Sequence, residues 1–323
     1  MNAEKARTAG KYVGAAATVA AIASLSAYVS SSYLLKMAIN REEPLLLRSV
    51  ERRISGSKGE TDFTRTMREA SRTLKAKENE VVEITARDGT VLVGHWMPVE
   101  DAKRIILAVH GWRGSWSQAF GMVADFWDEQ GCSVLYVEQR ATNKSGGDYI
   151  GFGIVERLDC FDWLNWLEER CGTTLPVYLC GVSMGATTVL MAAGLDLPPT
   201  VHGIIADCGF TSPHAIWKHV ANHNLHIAFR MRGRFADEIF MRKLHMAPDI
   251  STTDALSQCT VPVLLIHGND DHFVPVSMTH ENYAACAGPK RLLTVPGADH
   301  GESYYTAPEA YQAELKRFWQ DFD

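Results

Sequence analysis

One serine in the chain lies in a setting that suits nucleophilic chemistry. Ser183 is the central residue of the G-V-S-M-G segment at residues 181–185. An apolar run precedes it and a small-residue helical pattern follows, which is the strand–turn–helix context of a nucleophile elbow. So tight a turn needs strained backbone angles and small residues two positions before and after the serine. The pattern therefore predicts Ser183 as a nucleophile at the N-terminus of a helix, where the helix dipole stabilises negative charge.

A serine hydroxyl needs a base, and the base needs an acid to orient it. His300 is the candidate base, because it stands in P-G-A-D-H-G at residues 296–301, a flexible loop after the last predicted strand. Three carboxylates follow predicted strands: Asp207, Asp270 and Asp271. The chain order serine, aspartate, histidine fits all three equally. The residues by themselves therefore leave the acid open.

An oxyanion hole requires two N–H donors that point at one position. The N–H of Met184, the residue after the nucleophile, is the first predicted donor. The second is expected from the loop H-G-W-R-G at residues 110–114, and Trp112 N–H is the predicted donor there. We interpret His110 as a structural residue that braces this loop.

The elements that must position these residues alternate between strands and helices from about Val81 onward. Such alternation predicts an α/β fold with a mainly parallel sheet covered by helices on both faces. In such sheets the chemistry collects at the carboxyl ends of the strands. The alternation stops at about residues 213–254, where an aromatic, basic and histidine-rich segment predicts a small helical cap insert.

Residues 12–35 form a run without any charged side chain. As a helix of about 1.5 Å per residue, this run can cross a bilayer core of about 30 Å. We predict a membrane anchor with a basic leader at residues 1–40, a polar helical lead-in at 41–80 and the globular domain at 81–323. Within the lead-in, two helical segments separated by a Ser/Gly break are predicted, with Asp62 as a plausible N-cap. A cleaved signal peptide and a soluble surface helix are the alternatives. Because the helix and the elbow share no motif, we expect the anchor to be dispensable for chemistry.

The side of the membrane is left open by two opposing signals. The basic leader favours an N-terminus that stays inside and hence an extracytoplasmic domain. The seven cysteines form no C-x-x-C pattern and are typical of a reducing compartment.

Composition excludes several classes of partner. The chain has 323 residues and a net charge of −6, so it lacks the basic excess that nucleic-acid binding requires. Five of the twelve histidines lie in the cap insert, but their spacing matches no tight metal-ligand set. We therefore expect no metal, no cofactor and no nucleic acid. The sequence does not indicate an oligomeric state.

With these motifs the chain resembles the α/β-hydrolase superfamily, and more narrowly bacterial membrane-anchored members grouped with serine aminopeptidase-like and esterase-like hydrolases. The resemblance covers about residues 80–320. It rests on G-D-Y-I-G-F-G at 147–153, G-V-S-M-G at 181–185, I-I-A-D-C-G-F-T-S at 204–212, I-H-G-N-D-D-H-F-V-P at 266–275 and V-P-G-A-D-H-G-E at 295–302. It implies the α/β-hydrolase fold and, through its H-G-x-x-D-x-x-V-P pattern, Asp271 as the acid. The family's usual D-x-R-G-H-G-x-S reads E-Q-R-A-T-N-K-S at 138–145, a departure that concerns the pocket.

Together, the motifs and the family resemblance predict a serine hydrolase that cleaves a carboxylic ester of a small acyl substrate through an acyl-enzyme intermediate. An aminopeptidase-like or thioesterase activity is the enzymatic alternative, and an aminopeptidase would need acidic residues in its pocket to bind a free N-terminus. The alternative without enzymatic activity is a membrane-tethered binding protein on a hydrolase fold.

Overall fold

A computed structural model describes residues 3–42, 61–247 and 249–323 of the chain. Within these residues eight strands form one sheet: β1 (Glu80–Thr85), β2 (Val91–Met97), β3 (Arg104–Val109), β4 (Cys132–Glu138), β5 (Val177–Val182), β6 (Val201–Asp207), β7 (Val263–Gly268) and β8 (Lys290–Val295). Their order across the sheet is β1-β2-β4-β3-β5-β6-β7-β8. β2 pairs antiparallel with β1 and β4, and every pair from β4 to β8 is parallel.

The burial of the strands explains this arrangement. Every residue of β3, β4 and β7 is buried, which is the pattern of parallel strands covered on both faces. β1 lies at the edge and is mostly exposed. It joins β2 through the turn that contains Gly89, whose φ is 86°. The predicted mainly parallel sheet of the α/β-hydrolase fold is confirmed.

Helices cover both faces of the sheet. In chain order they are α1 (Ala3–Ile39), α2 (Asp62–Ala76), α3 (Trp116–Phe120), α4 (Ala124–Glu129), α5 (Glu156–Cys171), α6 (Met184–Ala192), α7 (Pro213–His219), α8 (Arg230–Leu244), α9 (Thr252–Ser257), α10 (Val276–Ala285), α11 (Ser303–Thr306) and α12 (Pro308–Phe322). On one face α5 and α6 bury Trp163 and Val189. On the other face α4 and α12 bury Trp127 and Phe318.

The segment predicted as a cap insert contains α7, a π-helical turn at Val220–Asn224, α8 and the start of α9. A third apolar cluster joins this segment to the elbow and to the first helix. It contains Ile216 and Phe240 of the insert, Met184 beside the nucleophile, and Leu35 and Ile39 of α1. The insert and the end of α1 therefore lie together over the carboxyl ends of the strands.

α1 has two parts with different surroundings. Its N-terminal part exposes apolar side chains, including Val19, Ile22 and Leu25. Its C-terminal part packs against α8. Four of the five buried positions there recur every fourth residue, at Ala27, Ser31, Leu35 and Ile39, and the fifth is Met37. Of the described helices, α1 alone has a segment, Ala17–Ile39, that is long and apolar enough to cross a membrane, judged by length and composition.

The lead-in differs in one detail from the prediction. Thr61 is the N-cap of α2, and Asp62, predicted as a plausible N-cap, is the first helical residue. The Thr61 hydroxyl accepts the Thr64 N–H at 3.1 Å and the Thr64 hydroxyl accepts the Thr61 N–H at 2.9 Å, so a reciprocal capping box stabilises the helix start. The first of the two helical segments predicted in the lead-in falls outside the described residues.

Candidate active site

Ser183 occupies the turn between β5 and α6. Its φ of 57° and ψ of −120° lie in a region that is costly for a residue with a side chain. A Cβ atom on Gly181 would lie 2.2 Å from the Gly185 carbonyl oxygen, and one on Gly185 would lie 1.9 Å from the Val109 carbonyl oxygen. Only glycine fits at these two positions, so the turn has the strained geometry that the motif predicts.

The structure brings Ser183, His300 and Asp271 together. His300 Nε2 lies 2.9 Å from Ser183 Oγ, and His300 Nδ1 lies 2.7 Å from Asp271 Oδ2. The three residues come from the turn after β5, the loop after β7 and the loop after β8. The Phe273 ring packs edge-on against the His300 ring, with 5.0 Å between centroids. This geometry can transfer the serine proton to the imidazole while a carboxylate holds the other ring nitrogen.

Asp271 has further hydrogen-bond partners in addition to His300. Its Oδ1 accepts the N–H groups of Phe273 at 2.8 Å and Val274 at 2.7 Å. His267 Nε2 lies 3.1 Å from Asp271 Oδ2, and its Nδ1 lies 2.6 Å from Thr279 Oγ1. His267 was not among the residues predicted from the sequence, although it is the first residue of the H-G-x-x-D pattern. These contacts fix the carboxylate in one orientation.

The two other candidate acids lie elsewhere. Asp207 Oδ1 accepts a hydrogen bond from the Ser303 hydroxyl at 2.9 Å, and the Asp207 carbonyl accepts the Ser183 N–H at 2.8 Å. Asp207 therefore supports the elbow through its backbone, and burial raises the pKa of its carboxyl group. Asp270 is exposed. Of these three carboxylates, Asp271 is the one within hydrogen-bonding distance of the His300 ring.

Neighbouring charges and hydrogen bonds oppose the effect of burial on the pKa values of Asp271 and His300. Burial alone would raise the pKa of Asp271, but the charge of His300 and hydrogen bonds from His267 and His300 hold this pKa below its usual range. Burial would lower the pKa of His300, but interactions with the neighbouring Cys208 and Asp271 side chains raise it well above that of a free imidazole. Burial also raises the pKa of the Cys208 thiol. The thiol is therefore neutral near pH 7, and Asp271 is the partner whose charge acts there.

Among the described residues, one group of side chains is close enough together to be considered as a metal site. Atoms of Cys208, Asp271 and His300 lie within 4.8 Å of one another. To bind a metal, Cys208 must be a thiolate and His300 a neutral imidazole with a free ring nitrogen. The Cys208 thiol, however, has a raised pKa, and both His300 ring nitrogens already contact other groups. The donor set therefore suits a proton relay better than a metal.

The loop at residues 110–114 lies directly against the elbow. A Cβ on Gly111 would lie 3.2 Å from Ser183 Cβ. His110 is buried, its Nδ1 lies 2.7 Å from the Gly111 carbonyl, and its Nε2 accepts the Gln139 N–H at 3.1 Å. Burial lowers the pKa of His110 to about 4, so the ring is neutral. His110 thus braces the loop, in agreement with its predicted structural role.

Trp112 follows Gly111 in this loop, and Met184 is the first residue of α6. The first N–H groups of a helix have no partner within the helix, which leaves the Met184 N–H available beside Ser183. Trp112 lines the same pocket as Ser183. The assignment of Trp112 and Met184 as oxyanion donors stays a prediction.

The E-Q-R-A-T-N-K-S segment at residues 138–145 contacts the loop at residues 110–114 through His110. Arg140 Nε lies 2.7 Å from Asp159 Oδ2, and Arg140 Nη1 lies 2.8 Å from Asp88 Oδ2. The neighbouring Gln139 holds His110 through its N–H. The departure from the family pattern therefore retains an ordered, buried polar network next to the site.

An apolar cavity of about 130 Å³ has Ser183 in its wall. Apart from Ser31, Ser183 and Arg232, every lining residue is apolar, and no aspartate or glutamate is among the described residues that line it. Five of the lining residues belong to α1: Ser31, Leu34, Leu35, Met37 and Ala38.

The contribution of α1 to this cavity was not predicted from the sequence, since the helix was expected to be dispensable because it shares no motif with the elbow. A signal was present in the spacing. Small or apolar residues recur every fourth position at Ala27, Ser31, Leu35 and Ile39, which marks one face of a helix that packs on protein. Alanine and serine in that stripe allow a close approach of α8.

Comparisons with known proteins identify the family and support the fold. Residues 118–322 match the model of the prolyl oligopeptidase family. The uncharacterized protein YqkD of Bacillus subtilis is 27% identical over 243 residues, which cover 71% of this chain and 75% of YqkD. The uncharacterized protein YfhR of Escherichia coli K12 is 26% identical over 231 residues, which cover 70% and 74%. The solved Pyrococcus furiosus esterase Pf2001 superposes with a TM-score of 0.63 at 22% identity and covers 76% of this chain and 91% of its own.

Proposed function

The chain belongs to the prolyl oligopeptidase family of the α/β-hydrolase superfamily, and from this premise we propose that it is a serine hydrolase that cleaves carboxylic esters. Ser183 is the proposed nucleophile, His300 the proposed base and Asp271 the proposed acid. The observation that carries the proposal is the continuous hydrogen-bonded series from Ser183 Oγ through His300 to Asp271.

The proposed reaction has two halves. Ser183 Oγ attacks the ester carbonyl carbon while His300 Nε2 takes the hydroxyl proton. The N–H groups of Met184 and Trp112 stabilise the oxyanion. The carbon–oxygen bond to the alcohol breaks, and His300 returns the proton to the leaving oxygen. Water then attacks the acyl-enzyme with His300 as base, which releases the acid and restores Ser183. These steps use only groups of the chain and water.

The choice of an ester over an aminoacyl amide rests on the pocket. An aminopeptidase must bind the ammonium group of a free N-terminus, and the described lining of the cavity offers no carboxylate to pair with it. Burial of an unpaired ammonium costs several kcal/mol, which is on the order of 10³-fold in rate. We therefore expect kcat/KM for p-nitrophenyl butyrate to exceed that for alanine p-nitroanilide by at least this factor.

Two further substrates make this comparison decisive. N-Acetylalanine p-nitroanilide keeps the amide but lacks the ammonium, so it separates amide chemistry from amine recognition. Cleavage of this anilide as fast as the butyrate ester would overturn the ester assignment in favour of a peptidase. Butyryl-coenzyme A tests the thioesterase alternative, and a preference for it over the oxygen ester would establish that alternative.

We also propose that α1 anchors the chain in a membrane by its N-terminal part, because Ile22 and Leu25 are each 64% exposed. Lysine at both positions should cost roughly 5 kcal/mol of insertion free energy. The wild type should stay with membranes in alkaline carbonate, and the Ile22→Lys, Leu25→Lys double variant should be released.

The matched control is Val81→Lys with Val91→Lys, two exposed apolar positions on β1 and β2, which should leave the membrane fraction unchanged. Release of the wild type by salt alone would contradict the anchor, and a mature N-terminus near Ala23 or Ala27 would show a cleaved signal. We place the domain on the extracytoplasmic side because of the basic leader. Protease digestion of the domain in intact spheroplasts tests this side.

A further inference from the structure

The C-terminal end of α1 is attached to the two parts of the protein that surround Ser183. Trp112 Nε1 donates to the Ala38 carbonyl at 2.8 Å, and Arg113 Nη2 donates to the Met37 carbonyl at 3.1 Å. These bonds tie the end of α1 to the predicted oxyanion loop. Because the carbonyls of the last helical turn have no partner within the helix, such donors also satisfy backbone groups that would otherwise be unpaired.

A second set of bonds ties α1 to α8. Ser31 Oγ lies 3.0 Å from the Arg232 carbonyl oxygen, and Arg232 Nε donates to Ser30 Oγ at 3.0 Å. Beyond the helix, the Ile150 N–H donates to the Ile39 carbonyl at 2.6 Å. The helix end is therefore held on both sides of the cavity and forms a fixed part of its wall.

The polar side chains that α1 and α8 contribute to the cavity lining, Ser31 and Arg232, form hydrogen bonds with protein groups. Besides its bond to Ser30, Arg232 donates through Nη1 to the Ala228 carbonyl at 2.8 Å. Ser31 Oγ also lies 2.7 Å from the Ala27 carbonyl oxygen. Most of the remaining lining is hydrocarbon, including Leu34 and Leu35 of α1. Trp217, whose buried Nε1 has no hydrogen-bond partner in the described structure, also lines the cavity. At roughly 10–15 Å³ for each water-sized group, a cavity of about 130 Å³ has room for on the order of ten chain atoms.

We propose that this cavity binds the aliphatic acyl chain of the substrate and that α1 sets the length of chain it accepts. The inference rests on the proposed function, because the acyl chain must be attached to the carbonyl that Ser183 attacks. An apolar cavity with Ser183 in its wall favours a medium-length fatty acyl ester over an acetyl ester. The same helix continues into the exposed apolar stretch proposed as the anchor, so one element joins the lipid phase to the acyl pocket.

The test compares p-nitrophenyl acetate with p-nitrophenyl octanoate on the full chain in one detergent. Each buried methylene contributes roughly a threefold to fourfold gain, and octanoate has six more methylenes than acetate, so kcat/KM of the wild type should be on the order of 10³-fold higher for octanoate. Leu34→Trp fills the cavity and should lower the octanoate-to-acetate ratio by about 30-fold. Leu34→Ala enlarges the cavity and should move the preferred chain from octanoate toward decanoate or laurate.

Leu25→Trp is the matched control, because it makes the same substitution on the same helix at a position that is 64% exposed. It should keep the wild-type ratio. Opposite shifts for Leu34→Trp and Leu34→Ala would separate a pocket wall from a general loss of folding, which cannot lengthen the preferred chain. A ratio in both Leu34 variants equal to that of Leu25→Trp would overturn the role of α1.

A comparison of ethyl acetate with octyl acetate tests whether the cavity binds the alcohol part of the ester instead of the acyl chain. If Leu34→Trp discriminates against octyl acetate and not against the octanoate ester, the cavity holds the alcohol and the inference is overturned. A flat chain-length profile in an active wild type would overturn this inference and leave the proposed function standing. A chain that hydrolyses none of these esters would overturn the proposed function first.

Discussion

Replacement of Ser183 by alanine should lower ester turnover by on the order of 10⁵ to 10⁶-fold, the range seen when a serine nucleophile is removed. Ser183 is the hydroxyl held 2.9 Å from His300 Nε2, and alanine leaves no atom to form an acyl-enzyme. The variant should also lose all labelling by a fluorophosphonate probe, which reacts covalently with an activated serine. Both can be measured on one preparation, by initial rates with p-nitrophenyl octanoate and by in-gel fluorescence.

The control for this variant is Ser257→Ala, which makes the same change at an exposed serine whose hydroxyl donates to the Asp254 carbonyl at 2.7 Å. It should retain turnover and labelling. Labelling that persists in Ser183→Ala would place the nucleophile at another residue. A wild-type chain that neither reacts with the probe nor hydrolyses any ester, thioester or anilide would favour the binding-protein alternative.

Replacement of Asp271 by asparagine should lower kcat by on the order of 10⁴-fold, by analogy with other triads. The Asp271 carboxylate accepts a hydrogen bond from His300 Nδ1, which leaves Nε2 free to receive the serine proton. An amide can present its N–H to that ring nitrogen and so favour the wrong tautomer. The side chain has similar size, and the fold should be retained. Initial rates and thermal unfolding of the variant check these two expectations.

The acid limb of the pH profile is a second readout of the same variant. His300 must be neutral to act as a base, and the charge of Asp271 contributes to raising the pKa of His300. Wild-type kcat/KM should therefore rise with pH through a value above that of a free imidazole, and the residual activity of Asp271→Asn should rise at lower pH. A structural role of Asp271 would lower the activity without moving this limb.

Asp207→Asn and Asp270→Asn are the matched controls, because each removes one of the other two candidate carboxylates. Asp270 is exposed, and Asp207 accepts a hydrogen bond from Ser303 rather than from His300. Both variants should cost far less turnover than Asp271→Asn. A larger loss in Asp207→Asn would show that the acid had been assigned to the wrong strand.

Local patterns account for most of what could be predicted. The elbow was predictable because the strain at Ser183 requires glycine within two residues on either side, and this requirement is written in adjacent positions. The strands were predictable because a parallel strand covered on both faces is a nearly continuous apolar run, as in I-I-L-A-V of β3 and V-L-L-I of β7. Such constraints involve neighbours along the chain, and the sequence by itself determined them.

The choice among the three carboxylates required more than chain order. From the residues alone Asp207, Asp270 and Asp271 were equivalent, because each follows a strand and the path of each loop was unknown. The family pattern indicated Asp271, and the structure places its carboxylate 2.7 Å from the His300 ring. Two adjacent aspartates differ only in the direction of their side chains, which the fold of the loop decides.

The wall of the proposed acyl pocket was decided by tertiary structure alone. Residues 12–35 have the composition of a membrane helix, and composition cannot say that Leu34 lies in the same cavity as Ser183, about 150 residues away in the chain. That contact depends on the docking of α1 against α8 and on the bonds from Trp112 and Arg113 to its last turn. Burial and hydrogen bonding between distant segments are properties of the folded chain, because each segment supplies only half of the contact.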